Sequence, residues 1–250
     1  MTGSGYSAAM HPEQPPEGYT HGESEHIENT GSGTLRAAIF GISDGLVSNL
    51  ALVIGVAGGT HQSGEAVVIA GTVGLLAGAF SMAAGEYISM QTQRESMEKQ
   101  LQLEREHIIA FPEEEQAHLS QLLLESGLSE QDADDVARKV HENVEPAVGF
   151  HALLELGIVP QQMGSPAGAA AASFAAFVVG ALIPLIPWLI LSSALLESII
   201  VSAIALMAVG GAVTTVTRQS AWWGALRQLA FGASAATVTW FLGRLVGTAL

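Results

Sequence analysis

Five runs of apolar residues set the plan of this chain. Leu35–Gly58, Ala66–Met90, Ala167–Ile190, Ala194–Thr217 and Trp222–Gly247 each reach the length of about 20 residues that a helix needs to cross a bilayer. Short turns, residues 58–64 and Leu191–Ser193, join neighbouring runs. No breaker separates the second run from the charged stretch Gln91–Arg105, which predicts one helix that continues out of the membrane into water. Pro112 predicts a new helix, since proline suits a first turn. Gly127 is expected to end it. Ser129 is expected to cap the next, with Glu130, Asp132 and Asp134 at its positive end. Pro146 is expected to break that helix, and Phe150–Leu156 to form a last short one closed by Gly157. The pattern reads as an all-α membrane protein of five transmembrane helices, with a three-helix insert between helices 2 and 3. Residues 1–34 are expected to be a disordered acidic tail, with a short helix near Glu23–Glu28. Residues 35–90 hold the first two spans, 91–165 the insert and 166–250 the last three spans.

Composition agrees and adds an asymmetry. The 250 residues are 49% hydrophobic and only 13% charged, too apolar for an ordinary soluble domain. The net charge is −15, and 15 of the 24 carboxylates lie between residues 91 and 160. The acidity is therefore a property of the insert, and a basic nucleic-acid footprint is absent. With no cysteine, thiolate metal sites and disulfides are excluded. The polar N-terminus predicts no cleavable signal peptide. Arg36 precedes span one, Arg94 and Lys99 follow span two, and Arg218 lies between spans four and five. By the positive-inside rule these place the N-terminus and the insert in the cytoplasm; Arg244 fits that orientation less well. The expected location is an integral multi-pass protein of a bacterial plasma membrane.

Asp44, Met82 and Glu86 stand out within the first two apolar runs; Glu197, in the fourth, has no polar company. Asp44 lies in GISDGLVSNLAL, where a mid-membrane carboxylate costs about 2.5–3.5 kcal/mol on insertion scales and marks a functional site by default. Asn49 and Ser48 add polarity about one turn on. Met82 and Glu86 stand four apart in SMAAGEYISM. A thioether beside a carboxylate suits a borderline transition metal better than calcium or magnesium. Gly71, Gly74 and Gly78 read as a close-packing stripe.

The insert repeats a second pattern. Glu104/His107 and Glu115/His118 are Glu-x-x-His pairs, and His151 is followed four residues later by Glu155. Residues three or four apart share a helix face, with Cβ atoms about 5–6 Å apart. Turned inward, three such faces offer carboxylate oxygens and imidazole nitrogens to metal ions; turned outward, they are a solvated acidic surface. Glu-x-x-His also occurs in di-iron carboxylate bundles. His141 and the tail histidines His11, His21 and His26 lack such pairing and read as incidental, or in the tail as a loose metal catch.

The segments SDGLVSNLAL and SMAAGEY, followed by an acidic helical insert and three more spans, resemble the vacuolar iron transporter family over residues 35 to 250. Its yeast members are calcium-cross-complementing transporters. The resemblance implies a homodimer of five-span protomers that moves ferrous iron, and often manganese, out of the cytoplasm in exchange for protons. It also implies metal binding in the insert. Asp44 and Met82 match the family's membrane aspartate and methionine, and Glu104, Glu115 and Glu155 match glutamates of its insert. His107 and His118 stand where plant members carry glutamate, and His151 where they carry methionine. Ala37, Asn49 and Gly74 replace an aspartate, a proline and a glutamate, while Glu86 is an acid where the plant pattern has glycine. Glu86 is expected to take over from the missing glutamate.

The expected function is proton-coupled export of a divalent transition metal. Ferrous iron, with manganese, zinc and cobalt as further candidates, is bound as substrate. The metal-site residues are Glu104, His107, Glu115, His118, His151, Glu155, Asp44, Met82 and Glu86; no catalytic residue and no enzyme activity are expected. Partners are the bilayer, divalent metal ions, protons and a second copy in a homodimer, with no nucleic acid. The alternative is a membrane-anchored iron-oxidising or iron-sequestering protein with a di-iron-like site.

Overall fold

A computed structural model describes residues 33–159, 164–216 and 220–249, and among these the chain is entirely helical. Eight helices follow in order: α1 (Gly33–Gly59), α2 (Gly64–Ala110), α3 (Pro112–Glu125), α4 (Glu130–Val140), α5 (Val144–Leu156), α6 (Pro166–Ile190), α7 (Leu195–Val216) and α8 (Ala221–Ala249). Five of them, α1, α2, α6, α7 and α8, are long and apolar enough to cross a membrane. They correspond to the five hydrophobic runs, and the chain fits a multi-pass membrane protein. Helices are one of the two structures that satisfy every backbone polar group inside lipid. The tail expected over residues 1–34 and Arg218 lie outside the described residues, except that residues 33 and 34 open α1.

Helix α1 is the hub, packed against α2, α6, α7 and α8. One side of the core gathers Val53, Ala57, Val67, Leu185 and Trp188; another gathers Leu46, Leu50, Ile54 and Leu206. Missing side chains allow the closest approaches. A Cβ on Gly180 of α6 would run into the Ile42 carbonyl of α1, and one on Gly243 of α8 into the Gly55 carbonyl. Within the stripe on α2, Gly71 faces Leu185 and Val53, and Gly78 faces the Phe177 ring.

Helix α2 is unbroken for 47 residues. At 1.5 Å per residue that is about 70 Å, far more than a hydrocarbon core of about 30 Å. Its far end carries the three short helices. Leu119 and Leu123 of α3 pack on Ala133 and Ala137 of α4, while Ile108 of α2 packs on Ala147 and Val148 of α5. Arg105 donates to Glu145 at 2.7 Å across the α2–α5 seam.

The local signals acted where they stand, with one exception. Pro112 opens α3, Ser129 caps α4 by accepting from the Asp132 N–H, and Gly157 closes α5 at φ 62°. Pro146 breaks nothing. Helix α4 has already ended at Val140, and Pro146 sits in the first turn of α5, which begins at Val144 rather than Phe150. A first-turn residue has no intrahelical use for its N–H, so proline is tolerated there.

Candidate functional site

A polar opening lies between α1 and α2. Phe40, Asp44, Ser48 and Leu52 recur every four residues along α1, and Gly74, Gly78, Met82 and Glu86 do the same along α2. Such spacing keeps each set on one face. Together with Asn49, Ser81, Gly85 and Phe177 they line an open pocket of about 470 Å³. The three membrane residues singled out in the sequence, Asp44, Met82 and Glu86, thus share one cavity. Glu86 carries its own counter-ion: Arg36 Nη2 lies 3.1 Å from Glu86 Oε1. Ser48 donates to the backbone carbonyl of Asp44 at 2.6 Å, leaving the Asp44 carboxylate free of that hydroxyl.

Asn49 also lines the pocket. Its Nδ2 donates to the Ala181 carbonyl at 2.6 Å, which fixes the amide. Its Oδ1 is buried without a hydrogen-bond partner and belongs to the pocket lining. An asparagine inside an apolar run was the available signal.

The second cluster lies at the far end of α2. Eighteen residues separate Glu86 from Glu104, which is five turns at 3.6 residues per turn. The two carboxylates therefore leave α2 on the same face, about 27 Å apart along the axis. There Glu104 lies with His151 and Glu155 of α5, and Glu115 and His118 of α3 lie with the same His151. Glu115, His118 and His151 can bring one ligand atom each within 4.8 Å of one another, and so can Glu104, His151 and Glu155. His151 is the centre. Fully buried, its Nδ1 lies 2.7 Å from Glu155 Oε1 and 3.1 Å from Glu104 Oε1. An ionised carboxylate only accepts, so toward ionised Glu155 the neutral His151 ring donates from Nδ1, and Glu104 Oε1 is buried without a partner. His118 Nδ1 reaches Glu155 Oε1 at 3.4 Å.

His107 stands at the edge of this centre. Its side chain is 59% exposed, and its Nδ1 is 4.0 Å from Glu115 Oε1. His141, which had looked incidental, stands against the centre. Its ring meets the His151 ring edge-on at a centroid distance of 5.3 Å, and His118 flanks His151 on a further contact at 5.9 Å.

Electrostatics match a site built for cations. Burial pushes the Glu104 carboxyl above its usual range, and Glu155 and Glu115 push it further, against the pull of His151 and His107. Burial holds the His141 imidazole below its usual value, against its backbone hydrogen bond to Ala137. A bound divalent ion would relieve the carboxylate crowding directly. Mixed imidazole and carboxylate ligands suit iron, cobalt, nickel or zinc.

Comparison with known proteins places this geometry among relatives. The model of the VIT family matches residues 35–244. Vacuolar iron transporter 1 of Oryza sativa subsp. japonica is 27% identical, over 92% of this chain and 92% of its own length. Vacuolar iron transporter 1 of Arabidopsis thaliana is 28% identical, over 90% of each chain. The vacuolar iron transporter of Acanthamoeba castellanii is 34% identical, over 73% of this chain and 66% of its own.

Proposed function

The chain belongs to the VIT family, and on that premise we propose that it exports divalent transition metal from the cytoplasm in exchange for protons. Ferrous iron is the principal substrate and manganese a second; relatives named as iron transporters support the first. The observation that carries the reading is the alignment of two cation-seeking sites on one face of α2. The Glu104–Glu115–His118–His151–Glu155 centre gathers ions, with His107 at its rim. Asp44, Met82, Glu86 and the Asn49 carbonyl oxygen pass them through the membrane.

Exchange follows from carboxylate chemistry. A carboxylate neutralised by a cation resists protonation, and a protonated one no longer attracts the cation. Protons arriving from the far side would therefore release the metal at Asp44 and Glu86. Arg36, Arg94 and Lys99 flank the insert end of α1 and α2, which supports a cytoplasmic insert. The same reading places a homodimer seam beside the pocket and the chain in a bacterial plasma membrane. The relatives' names point to a vacuole, and imaging of the tagged chain in its own cells decides between the two membranes.

Purified protein in liposomes tests the transport reading. Asp44→Ala should abolish uptake of labelled iron while metal still binds to the insert; normal uptake by this variant refutes the pathway. The oxidase alternative makes a different demand. Addition of ferrous iron should then consume oxygen in step with iron, whereas a transporter releases iron unoxidised and leaves oxygen at its background rate.

A further inference from the structure

His141 and His151 share a feature that the carboxylate centre does not use. Each imidazole has its Nδ1 committed to an acceptor. His141 Nδ1 lies 3.0 Å from the Ala137 carbonyl oxygen and His151 Nδ1 lies 2.7 Å from the Glu155 carboxylate. Carbonyls and ionised carboxylates only accept, so both neutral rings carry their proton on Nδ1 and a lone pair on Nε2. Both Nε2 atoms are buried and have no hydrogen-bond partner. The rings stand edge to face, 5.3 Å apart. An imidazole whose Nδ1–H donates to a backbone carbonyl or a carboxylate is in the state that binds metal through Nε2, with its orientation locked by that outer hydrogen bond.

We propose that His141 and His151 hold a divalent transition metal through their Nε2 atoms, at a position distinct from the carboxylate-lined centre, where the Nδ1–H of His151 holds Glu155 in place and does not itself ligate. The inference rests on reading the insert as a metal-gathering module and adds to it a second ion position. His141 caps the end of α4, so this position ties α4 to α5, two helices that otherwise meet sparsely. Its chemistry is selective. Nitrogen ligands favour ferrous iron, cobalt, nickel and zinc, whereas manganese, magnesium and calcium prefer oxygen. The two positions would therefore sort ions before delivery: borderline metals on both, hard metals on the carboxylates alone.

Cobalt titration of the full chain in detergent, followed by calorimetry and visible absorption, tests the proposal. His141→Phe keeps the ring's bulk and removes the nitrogens. It should lose one cobalt per chain and keep the remaining ions bound. Added imidazole should restore the lost ion in His141→Gly. Manganese stoichiometry should not change in either variant. Unchanged cobalt stoichiometry in His141→Phe overturns the proposal and leaves the carboxylate centre standing. Loss of all insert ions from folded His141→Phe also overturns it, since it means one shared site. The carboxylate centre is scored separately by Glu104→Gln combined with Glu115→Gln. If that protein keeps every cobalt of the parent, the centre is refuted whatever His141→Phe does. Circular dichroism of each metal-free variant checks the fold, and His141→Gln serves as the reading variant if phenylalanine disturbs it.

Discussion

Arg36→Gln should make the membrane pocket a better cation site. The Arg36 guanidinium sits 3.1 Å from Glu86 Oε1 and competes with any ion for that carboxylate. The Arg36 side chain is 69% exposed and that of Glu86 14%, so the pair belongs with solvent-screened bridges worth about 0–1 kcal/mol. One kcal/mol corresponds to roughly a fivefold change in an equilibrium constant, so the variant should lower the KM for metal by up to about fivefold. The turnover number should hold, because Arg36 does not line the pocket. Added salt should shrink the difference, since the Debye length falls from about 10 Å at 0.1 M to about 3 Å at 1 M. Uptake into liposomes, read by a metal-quenched dye over a range of ion concentrations, measures both constants. Arg36→Lys should resemble the parent, and in a Glu86→Gln background Arg36→Gln should have no further effect. An unchanged or raised KM for Arg36→Gln at low salt refutes the competition.

Two more perturbations bear on the same architecture. Glu104 has its carboxyl pushed up by burial, so the folded protein binds its proton more tightly than the unfolded chain and Glu104 lowers metal-free stability as pH rises. Glu104→Gln should therefore raise the melting temperature of the metal-free chain near pH 8 and lose that advantage below about pH 4, where the group is protonated in both states; a pH-independent difference refutes this account. Gly180→Ala sets a methyl against the Ile42 carbonyl, and overpacking of this kind costs about 1–3 kcal/mol. The variant should melt earlier and transport more slowly, because α1 also carries Asp44; melting and transport like the parent would refute the close approach.

Much of the pocket was legible from spacing. Asp44 and Glu86 stood out because ionisable groups are rare in apolar helices, and helical periodicity put Met82 and Glu86 on one face. The pairing of Arg36 with Glu86 was not legible, because the two residues lie 50 positions apart and meet only when α1 packs on α2. In the insert, Glu104, Glu115, His118, His151 and Glu155 converge, with His107 largely exposed at their edge, 4.0 Å from Glu115. His141 has no partner at helical spacing but meets His151 where α4 ends.

Hydropathy by itself determined the five long helices, because an apolar run of that length in lipid has no other way to satisfy its backbone. A first-turn proline and a serine cap likewise determined where α3 and α4 begin, since the groups involved lie within one turn. Tertiary structure decided which imidazoles and carboxylates meet. That depends on how α3, α4 and α5 dock through Leu119, Leu123, Ala133, Ala137, Ile108 and Val148. Helical spacing reports a face only relative to its own axis. The angle at which one axis crosses the next is set by side chains distant in sequence, and so is the meeting of His141 with His151.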